Sequence, residues 1–308
     1  MAHDVRVLPD IASALSRREA VVALESSVLA QGLPIPSNRE AASAMVDAVQ
    51  AKGAVPAITG VVRGVPAVGL NDEELERFLH REGVRKVSAR DIPAAVLARS
   101  DGATTVAAAL ALAKLVGIEV FATGGIGGVH RAEPGAGGVS YDESADLAEL
   151  AASPLVVVCA GAKSILDLPA TWERLETLGV PVVGYRTDRF PGFFTADSGI
   201  ALSYCVNSAA ELASLFRAHR ALGRPQALLV VQPPPARYAL DGNEVEGAVE
   251  EALRQAQRDG VRGASVTPYL LDRVSRLTEG HSLDANLALL EQNAALAAEI
   301  AVALSRSG

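Results

Sequence analysis

The 308-residue sequence predicts a three-layer α/β/α fold, with a mostly parallel central sheet and a C-terminal third that is almost wholly helical. Three observations predict it. Short apolar runs alternate with amphipathic stretches, the pattern of a sheet whose strands are joined by right-handed helical crossovers. Several runs are apolar without any alternation, as strands buried on both faces are, and Leu155-Val156-Val157-Val158-Cys159-Ala160 is the clearest. Apolar residues make up 49% of the chain and aromatics only 4%, which suits a helix-covered sheet better than a β-sandwich.

The elements follow in order. Val21 to Leu24 reads as a strand, Arg39 to Lys52 as a helix after the Pro34/Pro36 loop, and Ala57 to Val62 as a second strand. Asn71 is placed to cap a helix running to Arg81, with acidic Asp72, Glu73 and Glu74 in its first turn. A strand at Val84 to Ser88, a helix at Thr104 to Val116 and a strand at Ile118 to Ala122 come next. Ser144 to Leu150 reads as a helix. The apolar run ending at Ala160 leads through Gly161-Ala162 to Lys163, after which a helix is expected from Ser164 onward. Strands at Pro181 to Tyr185 and Ala201 to Val206, a helix over Ser208 to Leu222 and a strand at Ala227 to Val231 precede the helical last third. No stretch has the composition of a linker, so residues 1–308 read as one catalytic domain.

A formal net charge of −8 argues against nucleic-acid binding, which needs a basic face, but not against a small anionic substrate. The N-terminus lacks an apolar leader, and the Ala-rich stretches meet charges before reaching a membrane-spanning length. Cys159 and Cys205, both in apolar runs, read as reduced core residues of a cytoplasmic protein.

Three strands end on groups with chemistry. Glu25 closes the first, Thr123-Gly124-Gly125-Ile126-Gly127-Gly128-Val129-His130 follows Phe121-Ala122, and Lys163 closes the third. Ligands bind at the carboxyl ends of strands in open α/β sheets. The glycine loop has neither the G-x-G-x-x-G spacing nor a G-x-x-x-x-G-K-S/T, so it is no dinucleotide or P-loop motif. It offers close backbone approach to a ligand. An ammonium at a helix mouth meets the positive end of the macrodipole, which would lower the pKa of Lys163 toward that of an amine nucleophile. The plainer alternative is a strand-end lysine with its head in water. Asp142 and Asp146 would share a face if a helix began at Asp142. They are then N-terminal caps, or a hard oxygen site for Mg²⁺ or Mn²⁺.

These blocks carry a family resemblance. Ala23-Leu24-Glu25-Ser26-Ser27, Ala122 to Arg131, Ser144-Ala145-Asp146-Leu147, Gly161 to Asp167, Leu175 to Tyr185 and Thr267-Pro268-Tyr269-Leu270-Leu271 are similar to the pseudouridine-5′-phosphate glycosidases, the indigoidine synthase A-like family. The likeness runs in order from about Glu25 to Ala301. It implies reversible cleavage of the C-glycosidic bond of pseudouridine 5′-phosphate to uracil and ribose 5-phosphate. It further implies Lys163 as the nucleophile at C1′ of the ring-opened ribose and Glu25 as proton donor. Asp142 would hold Mn²⁺ or Mg²⁺, one per subunit of a homotrimer. Lys86, Val106, Ser144, Ala145, Asp146, His130 and Asn286 would contact or surround the substrate. The chain departs from the family in two places. Pro134-Gly135-Ala136-Gly137-Gly138 lengthens the segment between His130 and Asp142. Gln31 stands where a histidine is expected, and an amide there can hydrogen-bond but cannot titrate near neutral pH.

The implied chemistry agrees with the residue types. A C-glycoside must expel carbon, for which the usual pair of carboxylates is no help, whereas a lysine iminium makes C1′ an electron sink. A free lysine with pKa about 10.4 must fall to roughly 7–8 to serve, and a helix N-terminus alone is too weak. Desolvation or a second cation has to supply the remainder. A sugar or nucleoside kinase of α/β/α type would need a nucleotide-phosphate motif, which is missing. A non-catalytic sugar-phosphate-binding protein would not require both Glu25 and Lys163.

Overall fold

The computed structural model describes residues 5–131 and 141–305, so the Pro134–Gly138 segment lies outside the described residues. In chain order the first half runs β1 (Arg6–Val7), α1 (Pro9–Ser16), β2 (Val21–Leu24), α2 (Ser37–Ala51), β3 (Val55–Val62), β4 (Val65–Val68), α3 (Asp72–His80), β5 (Arg85–Val87), α4 (Ile92–Leu97), β6 (Gly102–Thr104), α5 (Val106–Val116), β7 (Val120–Ala122) and β8 (Val129–His130). The second half runs α6 (Ala145–Leu150), β9 (Val156–Cys159), β10 (Leu166–Asp167), α7 (Leu168–Thr177), β11 (Val182–Tyr185), β12 (Cys205–Val206), α8 (Ala209–Ala221), β13 (Leu228–Val231), α9 (Gly242–Arg258), α10 (Val266–Leu277) and α11 (His281–Ser305).

The large sheet is ordered β1-β4-β3-β2-β7-β9-β13-β11-β12, with β6 paired to β3 and β5 to β6. From β3 to β12 every neighbouring pair is parallel. The antiparallel pairs are β3 with β4 and β3 with β6. Central strands β2, β7, β9 and β13 are buried along their whole length, which is why their sequences show no polar alternation. Helix α11 packs across β2, β7 and β9 and against α2 and α8, while α5 packs on β2, β3, β4 and α6. The predicted mostly parallel, helix-covered sheet is what forms.

Local signals explain the boundaries. Asn71 accepts from the Glu74 amide at 2.9 Å and Glu74 answers the Asn71 amide at 3.0 Å, the reciprocal cap expected for α3. The helix expected from Ser164 begins only at Leu168. Asp167 caps it by accepting from the Ala170 amide at 2.9 Å and Pro169 sits in its first turn, so both start signals lie later than Ser164. Residues 164–167 instead form a turn and β10, which pairs antiparallel with β8. Helix α6 likewise starts at Ala145, so Asp142 stands outside it and shares no helical face with Asp146. Of the expected strand Ala201–Val206, only Cys205–Val206 forms, at the sheet edge, and Cys205 is exposed rather than in the core. Cys159 is buried, which pushes its thiol pKa up to about 12. Helix α11 is long and apolar enough to cross a membrane, contrary to the expectation that no stretch would be, yet half of its most apolar window is buried inside the protein against the sheet.

Candidate active site

Strands β2, β7 and β9 are consecutive neighbours, so Glu25, the glycine loop and Lys163 emerge side by side at their carboxyl ends. The loop and the lysine turn are joined by backbone bonds. Ile126 donates to the Gly161 carbonyl at 3.0 Å, and Lys163 donates to the Ile126 carbonyl at 3.1 Å. Gly161 makes this possible with φ +83°, and a side chain there would strike the Pro191 carbonyl.

Glu25 is buried, and both carboxylate oxygens are occupied. Oε2 accepts from the Ser27 hydroxyl at 2.5 Å and Oε1 from the Thr123 hydroxyl. Thr123 is held in turn, because Asn293 on α11 donates to the carbonyls of Thr123 at 2.8 Å and Gly124 at 3.3 Å. The Asn293 oxygen accepts from Gln232, just past β13, at 2.9 Å. Ser27, Thr123, Gln232 and Asn293 were not singled out from the sequence. A signal was available: Asn286 and Asn293 lie seven residues apart, two turns on one stripe of a largely apolar helix, and both are buried.

A small pocket of about 40 Å³ is lined by Glu25, Lys86, Lys163 and Asn286 over Gly124 and Gly125, walled by Phe193, Pro268 and Leu271, and it shares Gln31 and Asn286 with an adjoining cavity of about 270 Å³. Lys86 is exposed as a residue, but its charged end is crowded by protein, and the crowding at the ammonium is what sets its titration. Its pKa is lowered by burial first and the nearby charge of Lys163 second, against opposing pulls from Glu25 and Asp146. Two ammonium groups in one small pocket leave room for an anion.

The remaining predicted residues divide. Asp146 is buried, with one oxygen accepting from the Ala107 amide at 2.9 Å and the other from the Gly127 amide at 2.8 Å. It ties the first turn of α5 to the glycine loop. Ser144 caps α6 by accepting from the Asp146 amide at 3.2 Å, Ala145 begins that helix, and Val106 is the buried first residue of α5. His130 and Asp142 line a neighbouring cavity of about 330 Å³, with Ile165 and Arg262 across it. The His130 pKa is lowered, chiefly by burial, with Asp142 opposing and Lys86 and Lys163 assisting. Arg131 closes this side by pairing with Glu246 and donating to the carbonyls of Ser164 at 3.1 Å and Leu166 at 3.2 Å. Among the described residues no group of three His, Cys, Asp or Glu side chains could cage a metal. A hard cation that keeps its waters needs no such cage and fits the single carboxylate of Asp142, which is exposed.

Comparisons with known proteins agree with this arrangement. A model of the family described as indigoidine synthase A like protein matches residues 10–303. The chain is 60% identical over 299 residues to a protein of Gemmatimonas aurantiaca named pseudouridine-5′-phosphate glycosidase, covering 97% of this chain and 96% of that one. A protein of the same name from Chloroflexus aurantiacus is 49% identical over 308 residues, covering 99% of this chain and all of that one. Among solved structures, the prealnumycin C-glycosynthase AlnA in complex with ribulose 5-phosphate superposes with a TM-score of 0.88 at 39% identity, covering 98% of this chain and 97% of that one. The match spans nearly the whole chain, including every strand end described above, and the chain belongs to the indigoidine synthase A-like family.

Proposed function

We propose that this chain cleaves the C-glycosidic bond of pseudouridine 5′-phosphate, giving uracil and ribose 5-phosphate. The observation that carries the reading is the meeting of Lys163 and Glu25, from the carboxyl ends of β9 and β2, with Lys86 of β5 in one pocket. The name shared by the curated relatives supports it, as does the ribulose 5-phosphate held by the C-glycosynthase.

Glu25 gives a proton to the ribose ring oxygen as the C1′–O4′ bond opens. The Lys163 amine adds to C1′. The C1′–C5 bond then breaks, its electron pair passing to C5 of the base, which takes up a proton, while nitrogen and C1′ form an iminium. Water adds to the iminium and releases ribose 5-phosphate and the free amine. Lys86 holds the phosphate, beside the Lys163 nucleophile. A Mn²⁺ or Mg²⁺ ion at Asp142 would supply positive charge to substrate oxygens, one ion per subunit of a homotrimer.

The test is incubation with pseudouridine 5′-phosphate and Mn²⁺, reading uracil by chromatography before and after exhaustive chelation. Uracil release that chelation suppresses and Mn²⁺ or Mg²⁺ restores is expected. No uracil under any condition would discard the activity, and full activity after chelation would discard the metal. Light scattering reads the trimer.

A further inference from the structure

Gln31 is a pocket residue whose hydrogen bonding is left incomplete. It lies in the single π-helical turn Val28–Gly32, and its Nε2 donates to the Val84 carbonyl at 3.3 Å. That bond settles the amide's orientation, since a rotated amide would press its oxygen against another carbonyl oxygen. Oε1 is therefore the free end, shut off from solvent and without a donor. Unpaired buried acceptors are costly, and a folded chain that keeps one at a pocket has a place for a ligand's donor. The Oδ1 of Asn286 is in the same condition and lies 3.4 Å from where a side chain on Gly124 would begin. Both residues line the pocket and also an adjoining cavity of about 270 Å³.

Two orphan acceptors do not match an ionised phosphate, which offers acceptors only. They call for donors, and the apolar walls of Val28, Phe193, Pro268 and Leu271 suit the face of a ring better than a polyol. The uracil of the C-linked nucleotide carries two N–H groups, at N1 and N3. Its N-linked isomer carries one, because N1 is taken by the glycosidic bond. We propose that Gln31 accepts one of these N–H groups and, with Asn286, makes the pocket selective for the C-linked base. This inference rests on the functional reading above and adds a specificity residue to it.

Substrates methylated at N1 or at N3 provide the test. Cleavage of pseudouridine 5′-phosphate and both methyl derivatives is measured for the wild type, Gln31→Leu and Gln31→Ala. Removing the acceptor leaves a donor unmade, so kcat/KM for the parent substrate should fall by about 5- to 150-fold. One of the two methyl derivatives should suffer no further loss, and its ratio to the parent should approach unity, most closely in Gln31→Ala, where there is room for the methyl. If Gln31 only ties its turn to Val84, both variants lose activity on all three substrates equally, and unchanged ratios would overturn the proposal. A wild type that cleaves both methylated substrates as fast as the parent overturns it without any variant. A wild type that does not cleave the parent overturns the functional reading and this inference with it.

Discussion

Glu25 and Asp142 are carboxylates lining two different cavities, an inner and an outer one, and they are built differently. Glu25 is buried with both oxygens bonded, and Thr123, whose hydroxyl reaches it, is fixed through Asn293 and Gln232 to the carboxyl end of β13. Asp142 is exposed on a segment outside any helix, beside a cavity lined by the loop between α9 and α10. The inner side holds its geometry before a ligand arrives. The outer side is tied to β8 and the glycine before it by main-chain bonds, His130 donating to the Asp142 carbonyl at 2.9 Å and Ser144 to the Gly128 carbonyl at 2.9 Å, while Asp142 itself is exposed. Groups that must meet reacting atoms within tenths of an ångström belong on the first kind of wall, while groups that contribute charge can sit on the second.

The largest effect that follows concerns Lys163. Lys163→Met keeps an unbranched side chain one atom shorter and removes the amine, so turnover should fall by on the order of 10⁴-fold or more, as loss of a covalent nucleophile does. Borohydride with ribose 5-phosphate and uracil should add a sugar to the wild type and not to this variant, read by intact mass and peptide mapping. An adduct on Lys86 or Lys114 would move the nucleophile off the inner wall.

Glu25→Gln comes next. It preserves shape and the two accepted bonds in part but removes the acid, and general acid catalysis is worth about 10²–10⁴-fold. Turnover should drop by that order with the Michaelis constant little changed, because the phosphate is held elsewhere. Turnover within a few-fold of the wild type, in a folded protein, would reduce Glu25 to a strand-end brace.

A third change probes the bracing itself. Asn293 is buried, touches no predicted catalytic group, and holds the loop that orients Glu25. Asn293→Ala leaves the Thr123 carbonyl and one N–H of Gln232 without a partner, while Gly124 still accepts from Ala160 and Gln232 still donates to Gln292, so stability should fall by about 1–3 kcal/mol. Loop displacement should also reduce turnover, by up to about 10²-fold. Denaturant midpoints and kcat measured on the same preparation separate the effects. Lost stability with unchanged kcat would show that the Ile126–Gly161 bonds hold the loop unaided.

The sequence made the inner wall legible and the outer one much less so. Glu25, the glycine run and Lys163 interrupt apolar runs, and a polar residue at the end of a buried strand is conspicuous. What lay in the turn after Lys163 was misread because Ser164-Ile165-Leu166 looks helical until the cap at Asp167 and the proline at 169 are weighed as the start. The pairing of Asp142 with Asp146 failed for the same reason, a helix begun three residues too early, and Asp146 turned out to be a tie between two backbones. The braces Asn293 and Gln232 were hidden because their partners lie far away in sequence, Asn293 reaching across 170 residues to Thr123. No local pattern records such a bond.

The smallest effect at neutral pH sharpens the electrostatic side of the comparison. Lys86 keeps its proton less tightly than an ordinary lysine, through burial and the charge of Lys163. An ordinary lysine stays charged to about pH 10.4, so Lys86 should neutralise below that, and the phosphate should lose its cation as pH rises. The Michaelis constant should therefore climb on the alkaline side before pH 10.4, approaching a rise of about 10- to 150-fold when the charged hydrogen bond is fully lost. Lys86→Arg carries a charge that does not titrate in this range, so its Michaelis constant should stay flat over the same window. Stability should move the other way in the wild type. The unfolded chain binds this proton more tightly than the folded one, so stability rises with pH between the lowered pKa and the ordinary value. The Arg variant should lack that rise. Parallel alkaline increases of the Michaelis constant in both proteins would assign the titration to another group and take the phosphate away from Lys86.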